Sequence, residues 1–261
     1  MAKVEVERRG PVTLVTVNRP EVHNCFDGET ADLMTAAVDG FAADGDARVL
    51  VVTGAGGRAF CSGADLKAAG TLVARQDASR TAPMGFAKLD PGKPTIAAIE
   101  GYCFAGGLEL AAWCDFRIAG DGAEFGCLSR RWGVPYVDGG TQRFPRIVGL
   151  GNALYLLETG VRIDATRAFS MGFVQEVVPR GRALDRALEL AEAISSSPGQ
   201  AGIRADRASA ISAFDAPLAD GLEREGRAGL GTLSDPELAE GLRRYAAGDR
   251  PEAPRPAGGS A

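Results

Sequence analysis

Two short runs constrain the fold more than anything else in this chain: VLVVT at Val49–Thr53 and PTIAAI at Pro94–Ile99. Each is almost wholly apolar, is shorter than an ordinary helix, and has glycine or proline close by. Such runs are strands buried on both faces, which arise where helices cover both sides of a largely parallel sheet. Phe116–Ala119 and Val174–Val178 read as further strands, and VTLVTV at Val12–Val17 alternates as a β-branched strand does. Between the strands the period changes. Leu33, Met34, Ala37, Val38 and Phe41 place one apolar stripe on a helix over Glu29–Phe41, and Ala153–Leu157, Ala165–Met171 and Arg182–Ile194 are helical windows. Residues 199–246 are almost continuously helical and rich in Ala, Arg, Glu and Leu. The expected class is α/β, organised as a core over residues 1–195, a helical region over 196–246 and a disordered Pro/Gly tail over 247–261. Residues 70–92, weakly patterned and carrying Pro83 and Pro91, are expected to form a mobile loop or short helix over a site. No strict sequence repeat is present.

Charge and rare residues narrow the function. Lys and Arg number 29 against 34 Asp and Glu, a net charge of −5 with no basic stripe, so neither nucleic acid nor an anionic membrane surface is an expected partner. The first residues, MAKVEVERRG, contain no apolar stretch of the secretory kind, and no window approaches the ~18 apolar residues of a membrane span. The five cysteines form no Cys-x-x-Cys pair, which fits reduced thiols and a cytoplasmic protein. His23 is the one histidine. That excludes a His-rich metal site, and no metal is expected.

Two glycine-containing turns carry the chemistry. Phe60-Cys61-Ser62-Gly63-Ala64-Asp65 turns sharply after a strand, and Ala105-Gly106-Gly107 leads from a strand into an apolar helix. Unpaired N–H groups at a helix start, opened to a ligand by glycine, can hold a carbonyl oxygen that gains negative charge. The same pattern also fits two tight turns in a chain with 35 glycines. Glu109 stands in the first turn of the second helix among Leu108, Leu110, Ala111 and Trp113. A first-turn carboxylate can simply complement the helix dipole. Burial among those neighbours is costly unless the carboxylate is paired or used. GAGG at residues 54–57 lacks the spacing of a dinucleotide-binding turn.

NRPEVHN (18–24), AFCSGADLK (59–67), KPTIAAIEGYCFAGGLELAAWCDFRIA (93–119), GGTQRFPRIVG (139–149) and MGFVQEVVP (171–179) together resemble the enoyl-CoA hydratase/isomerase, or crotonase, superfamily. The likeness runs in continuous order over roughly residues 5–195. It implies a spiral of ββα units with a helical C-terminal region that builds homotrimers or dimers of trimers. It also implies an acyl-CoA thioester substrate, coenzyme A arriving as part of that substrate and no separate cofactor. The thioester oxygen maps onto the backbone amides of Ala64 and Gly106, with Ser62, Gly63, Asp65, Leu66, Lys67 and Gly107 in the surrounding substrate-binding loops. Glu109 aligns with one of two catalytic glutamates of family hydratases.

The chain departs from that pattern where the second glutamate belongs. The usual Gln-Pro-Glu is Cys127-Leu128-Ser129, so Ser129 occupies the acid's place. A usual Pro-Gly-x-Gly-Gly-Thr is Tyr136-Val137-Asp138-Gly139-Gly140-Thr141, which brings an acid, Asp138, into the variable position. Asp138 reads either as a replacement acid or as a turn aspartate before Gly-Gly. Tyr136 is a candidate donor in the acyl pocket. Arg130, Arg131 and Trp132 are candidate partners of Asp138 or contacts for an acidic or aromatic acyl group, beside the reading of a structural arginine cluster. The leading expectation is an enoyl-CoA hydratase. A double-bond isomerase, another crotonase-type reaction and a non-catalytic acyl-CoA binder are the alternatives on the same scaffold.

Overall fold

A computed structural model describes residues 2–75 and 80–256. Its ten strands divide between two sheets that the chain visits in turn. The larger sheet contains β1 (Val4–Arg9), β2 (Val12–Val17), β3 (Val49–Gly54), β5 (Thr95–Ile99), β7 (Phe116–Gly120) and β10 (Glu176–Val178), in the order β1-β2-β3-β5-β7-β10. The smaller one contains β4 (Ala59–Cys61), β6 (Tyr102–Phe104), β8 (Glu124–Gly126) and β9 (Ile163–Asp164), also in chain order. Apart from the antiparallel pairs β1–β2 and β8–β9, all neighbouring strands are parallel. After β3, β5 and β7 the chain enters the smaller sheet at once and then forms helix, so a ββα unit recurs without a repeated sequence.

The helices are α1 (Gly28–Ala43), α2 (Ala69–Val73), α3 (Gly106–Trp113), α4 (Gly140–Val148), α5 (Leu150–Thr159), α6 (Ala165–Ser170), α7 (Ala183–Ser196), α8 (Gln200–Ile211), α9 (Leu218–Thr232) and α10 (Pro236–Ala246). The VLVVT run is apolar throughout because β3 separates two cores. Val49 and Val51 pack with Ala183, Ala187 and Ala191 of α7, whereas Leu50 and Val52 belong to the larger core shared with α1 and α3. Those alanines recur every fourth residue, one face of a helix that lies close on the sheet. Asp27 caps α1 by accepting from the Thr30 amide at 2.9 Å.

The segment expected as a cover over the site is partly core. Met84 and Phe86 are buried and belong to the main hydrophobic cluster. Irregular backbone with proline conceals that packing in the sequence. Positions 76–79 of that segment, and 257–261 of the tail, lie outside the described residues. Residues 249–256 have no regular secondary structure, and Arg186 of α7 donates to the Arg255 carbonyl at 2.6 Å. All five cysteines are free thiols. No helix among the described residues is long and apolar enough to cross a membrane.

Candidate active site

The ends of β4 and β6 bring the two glycine turns into contact. Gly63 adopts φ +92, and a Cβ there would stand 2.7 Å from the Gly106 amide nitrogen. A side chain at this position would therefore both strain the backbone and part the loops. Gly107 serves the other side of the junction: its Cβ would meet the Cys61 carbonyl oxygen at 2.0 Å, so α3 can approach β4 only with glycine there. Ala105 turns the chain into α3 at φ 50, ψ −123, a conformation rare for a residue with a side chain. Among the described residues neither the Ala64 nor the Gly106 amide donates a hydrogen bond to protein. The Ala64 amide is free because Phe26 bonds to the residues on either side of it, donating to Gly63 O and accepting from Asp65 N at 2.8 Å each. Gly106 is the first residue of α3, where an N–H has no intrahelical partner.

Ala64 and Gly106 both line one cavity of about 410 Å³, formed by the two turns, Met84 and the segment 128–138. Every residue expected at the site lines it except Gly63 and Gly107, which hold the two turns together instead. Glu109 reaches the cavity from α3, whose residues are all buried. Its Oε1 accepts from the Asp138 amide at 2.9 Å and the Gly140 amide at 2.8 Å. Burial pushes its pKa up to about 8, with a smaller push from the Asp138 charge, against the pull of those two amides.

Asp138 is also buried, and its Oδ1 accepts from the Met84 amide at 2.9 Å. Burial raises its pKa to about 6, opposed by that amide and by the Arg143 guanidinium. The basic residue beside the two carboxyls is thus Arg143 rather than Arg130 or Arg131. Arg130 is turned outward and donates to the Val134 carbonyl at 2.7 Å. Trp132 lies at the rim with 73% of its surface exposed.

At the other end, Leu66 and Lys67 are exposed along the cavity mouth. Asp65 is engaged by protein: it accepts from the Lys67 amide at 3.1 Å and from Arg19 at 3.0 Å. Arg19 also donates to the Cys25 carbonyl at 2.6 Å and pairs with Asp27 at 3.3 Å. This half-buried network fixes the turn that presents Ala64. Sequence reasoning missed Arg19 and Met84 as parts of the site. The NRP segment marks where Arg19 sits, but its partner Asp65 is 46 residues away, and local pattern carries no trace of the pairing.

Two residues with free amides lining one cavity with a buried carboxyl of raised pKa form a set that can polarise a carbonyl and move a proton beside it. On a spiral of ββα units this defines a crotonase-type site. The chain belongs to the enoyl-CoA hydratase/isomerase family, whose model matches residues 7–252. It is 41% identical over 199 residues to the enoyl-CoA hydratase EchA19 of Mycobacterium tuberculosis, covering 74% of each chain. It is 35% identical over 221 residues to the (E)-benzylidenesuccinyl-CoA hydratase of Thauera aromatica, covering 84% of this chain and 86% of that one. The crystal structure of an enoyl-CoA hydratase from Mycobacterium tuberculosis superposes with a TM-score of 0.89 at 30% identity, over 97% of this chain and 98% of that one.

Proposed function

We propose that this protein is an enoyl-CoA hydratase that adds water across the double bond of a trans-2-enoyl-CoA. The observation that carries the reading is that Ala64 and Gly106, whose amides have no partner in the protein among the described residues, line one cavity with Glu109. The thioester oxygen lies between the two N–H groups, which stabilise the enolate-like charge formed as oxygen adds to the β-carbon. Removing one such donor typically costs ~10²–10³ in rate. Addition needs one group to take a proton from water and another to give a proton to the α-carbon. Glu109 and Asp138, with pKa values raised to about 8 and about 6, together hold one proton at neutral pH. They are thus an acid and a base in one site, Asp138 standing in for the glutamate replaced by Ser129. Hydration is redox-neutral and consumes only water, so coenzyme A enters as part of the substrate and no separate cofactor is required. Ser62, Asp65, Leu66 and Lys67 form the side along which the CoA moiety runs.

Isomerisation of a 3-enoyl-CoA is the second reading, favoured by the serine at the second acid's position, because one carboxylate can carry a proton between two carbons. Incubation with a short trans-2-enoyl-CoA, following loss of the conjugated absorbance, separates the two. Turnover that disappears in Glu109→Gln is expected; turnover of 3-enoyl-CoA alone replaces the hydratase with the isomerase, and saturable binding with neither turnover leaves a binding protein. The exposed Phe214, Leu218, Leu222, Leu230, Leu233 and Leu242 of the C-terminal helical region support self-association, proposed here as a homotrimer or dimer of trimers.

A further inference from the structure

Among the described residues two buried side-chain oxygens lack a hydrogen-bond partner in the protein: Ser129 Oγ and the Tyr136 hydroxyl. Both residues line the cavity that holds Glu109. A buried hydroxyl without a partner carries an uncompensated desolvation cost, and native structures keep few of them. Two in one cavity, both from the segment between β8 and α4, call for a common explanation.

Their placement is definite. The Tyr136 ring meets Phe144 edge-on at 5.6 Å between centroids, which fixes the direction of its hydroxyl. A Cβ built on Gly140 would stand 2.8 Å from Tyr136 Cδ1 and 2.9 Å from Glu109 Cγ, so the ring and the Glu109 side-chain stem flank one point. Beside the Tyr136 hydroxyl is the Cys127 thiol, a weak partner at best. The walls around the pair are apolar: Leu128, Val134, Pro135 and Val137. Charge selects among ligands. Two of the cavity's three carboxyls, Glu109 and Asp138, are at this end, while the third, Asp65, and the single cation among its described lining residues, Lys67, belong to the Ala64 turn. A carboxylate on the acyl chain would add a further negative charge beside two carboxyls that already share the Arg143 guanidinium. A neutral oxygen would meet two hydroxyls that can each donate or accept.

Resting on the acyl-CoA reading above, we propose that Ser129 and Tyr136 form a hydrogen-bonding pocket for a neutral oxygen, a hydroxyl or carbonyl, carried on the acyl chain beyond the β-carbon. The preferred substrates are then CoA thioesters of oxygenated rather than purely hydrocarbon acyl groups. Equilibrium binding to saturated thioesters, measured in the Glu109→Gln background so that 3-hydroxybutyryl-CoA is not dehydrated, tests this without depending on turnover. The probes are butyryl-CoA and pentanoyl-CoA, 4-hydroxybutyryl-CoA and 5-hydroxypentanoyl-CoA, and 3-hydroxybutyryl-CoA as the control for the oxygen that hydration itself adds. The expected result is that a 4- or 5-hydroxy thioester binds about tenfold or more tightly than its hydrocarbon counterpart. Ser129→Ala and Tyr136→Phe each erase most of that preference. Both substitutions remove an unpaired group, so thermal melts of the variants should match the parent. Equal binding of plain and hydroxylated chains overturns the proposal. So does a preference that survives both substitutions, or one confined to 3-hydroxybutyryl-CoA, which would assign the hydroxyls to the added water. Failure of every thioester to bind would instead sink the acyl-CoA reading itself.

Discussion

Replacing Glu109 by glutamine isolates the cost of keeping an ionisable group inside α3. The amide oxygen retains the shape of Oε1 and still accepts from the Asp138 and Gly140 amides. Only titration is lost. In the wild type the carboxyl's pKa rises from 4.5 to about 8 in the folded protein, with burial as the main cause. Below pH 4.5 both folded and unfolded chains hold the proton, and the pH dependence is nil. Between 4.5 and 8 the folded chain keeps the proton and the unfolded chain releases it, so raising the pH favours unfolding. The slope is about 1.4 kcal/mol per pH unit. From pH 5 to pH 8 the wild type therefore loses about 4 kcal/mol relative to Glu109→Gln, an upper figure before relaxation and water penetration reduce it. Above pH 8 both states are ionised and the difference levels off. Urea unfolding of both proteins by circular dichroism at pH 5, 6, 7 and 8 measures this directly, because every other titrating group is common to the pair and cancels. A free-energy difference that stays flat across the range would refute the reasoning. It would mean that the two amides already hold the folded carboxyl ionised at pH 5, and that Glu109 carries no proton at neutral pH.

Two further expectations concern its neighbours. With the two carboxyls titrating at about 6 and about 8, wild-type kcat/KM for hydration should be bell-shaped; Asp138→Asn, which still accepts from Met84, should lose the limb near 6 and at least ~10²-fold in rate while melting no lower than the wild type at neutral pH, and an untouched rate would remove Asp138 from the mechanism. Gly107→Ala places a methyl 2.0 Å from the Cys61 carbonyl and should lower stability by about 1–3 kcal/mol or more in a thermal or urea melt, whereas Gly151→Ala, in helix α5 with open space around it, should raise it by about 0.5–1 kcal/mol.

How much of this was readable beforehand depends on the range over which a physical cause acts. β2, β3, β5 and β7 could be located from sequence because burial constrains consecutive residues. β4, β6, β8 and β9 are two or three residues long, too short for any period: the first three each follow a strand of the larger sheet, and β9 comes after α5 and pairs antiparallel with β8. The glycine turns announced a site, yet chemistry alone did not say which glycine faces a ligand. Gly106 keeps its amide free and lines the cavity, while adjacent Gly107 is occupied in packing against Cys61, a distinction made entirely by what the helix approaches. The same limit hides Arg19, whose partners Asp27 and Asp65 are joined to it only by the fold. Position 129 went the other way. A serine in place of an acid was visible as a departure, but its meaning was not, since an exposed serine and an unpartnered buried one are spelled alike. The burial of Ser129 Oγ in the cavity that also holds the Tyr136 hydroxyl turns the missing acid from a loss into a change of what the cavity can recognise. A site that surrenders one carboxylate and gains two neutral hydroxyls gives up part of its power to move protons and becomes able to discriminate between acyl chains by their oxygens.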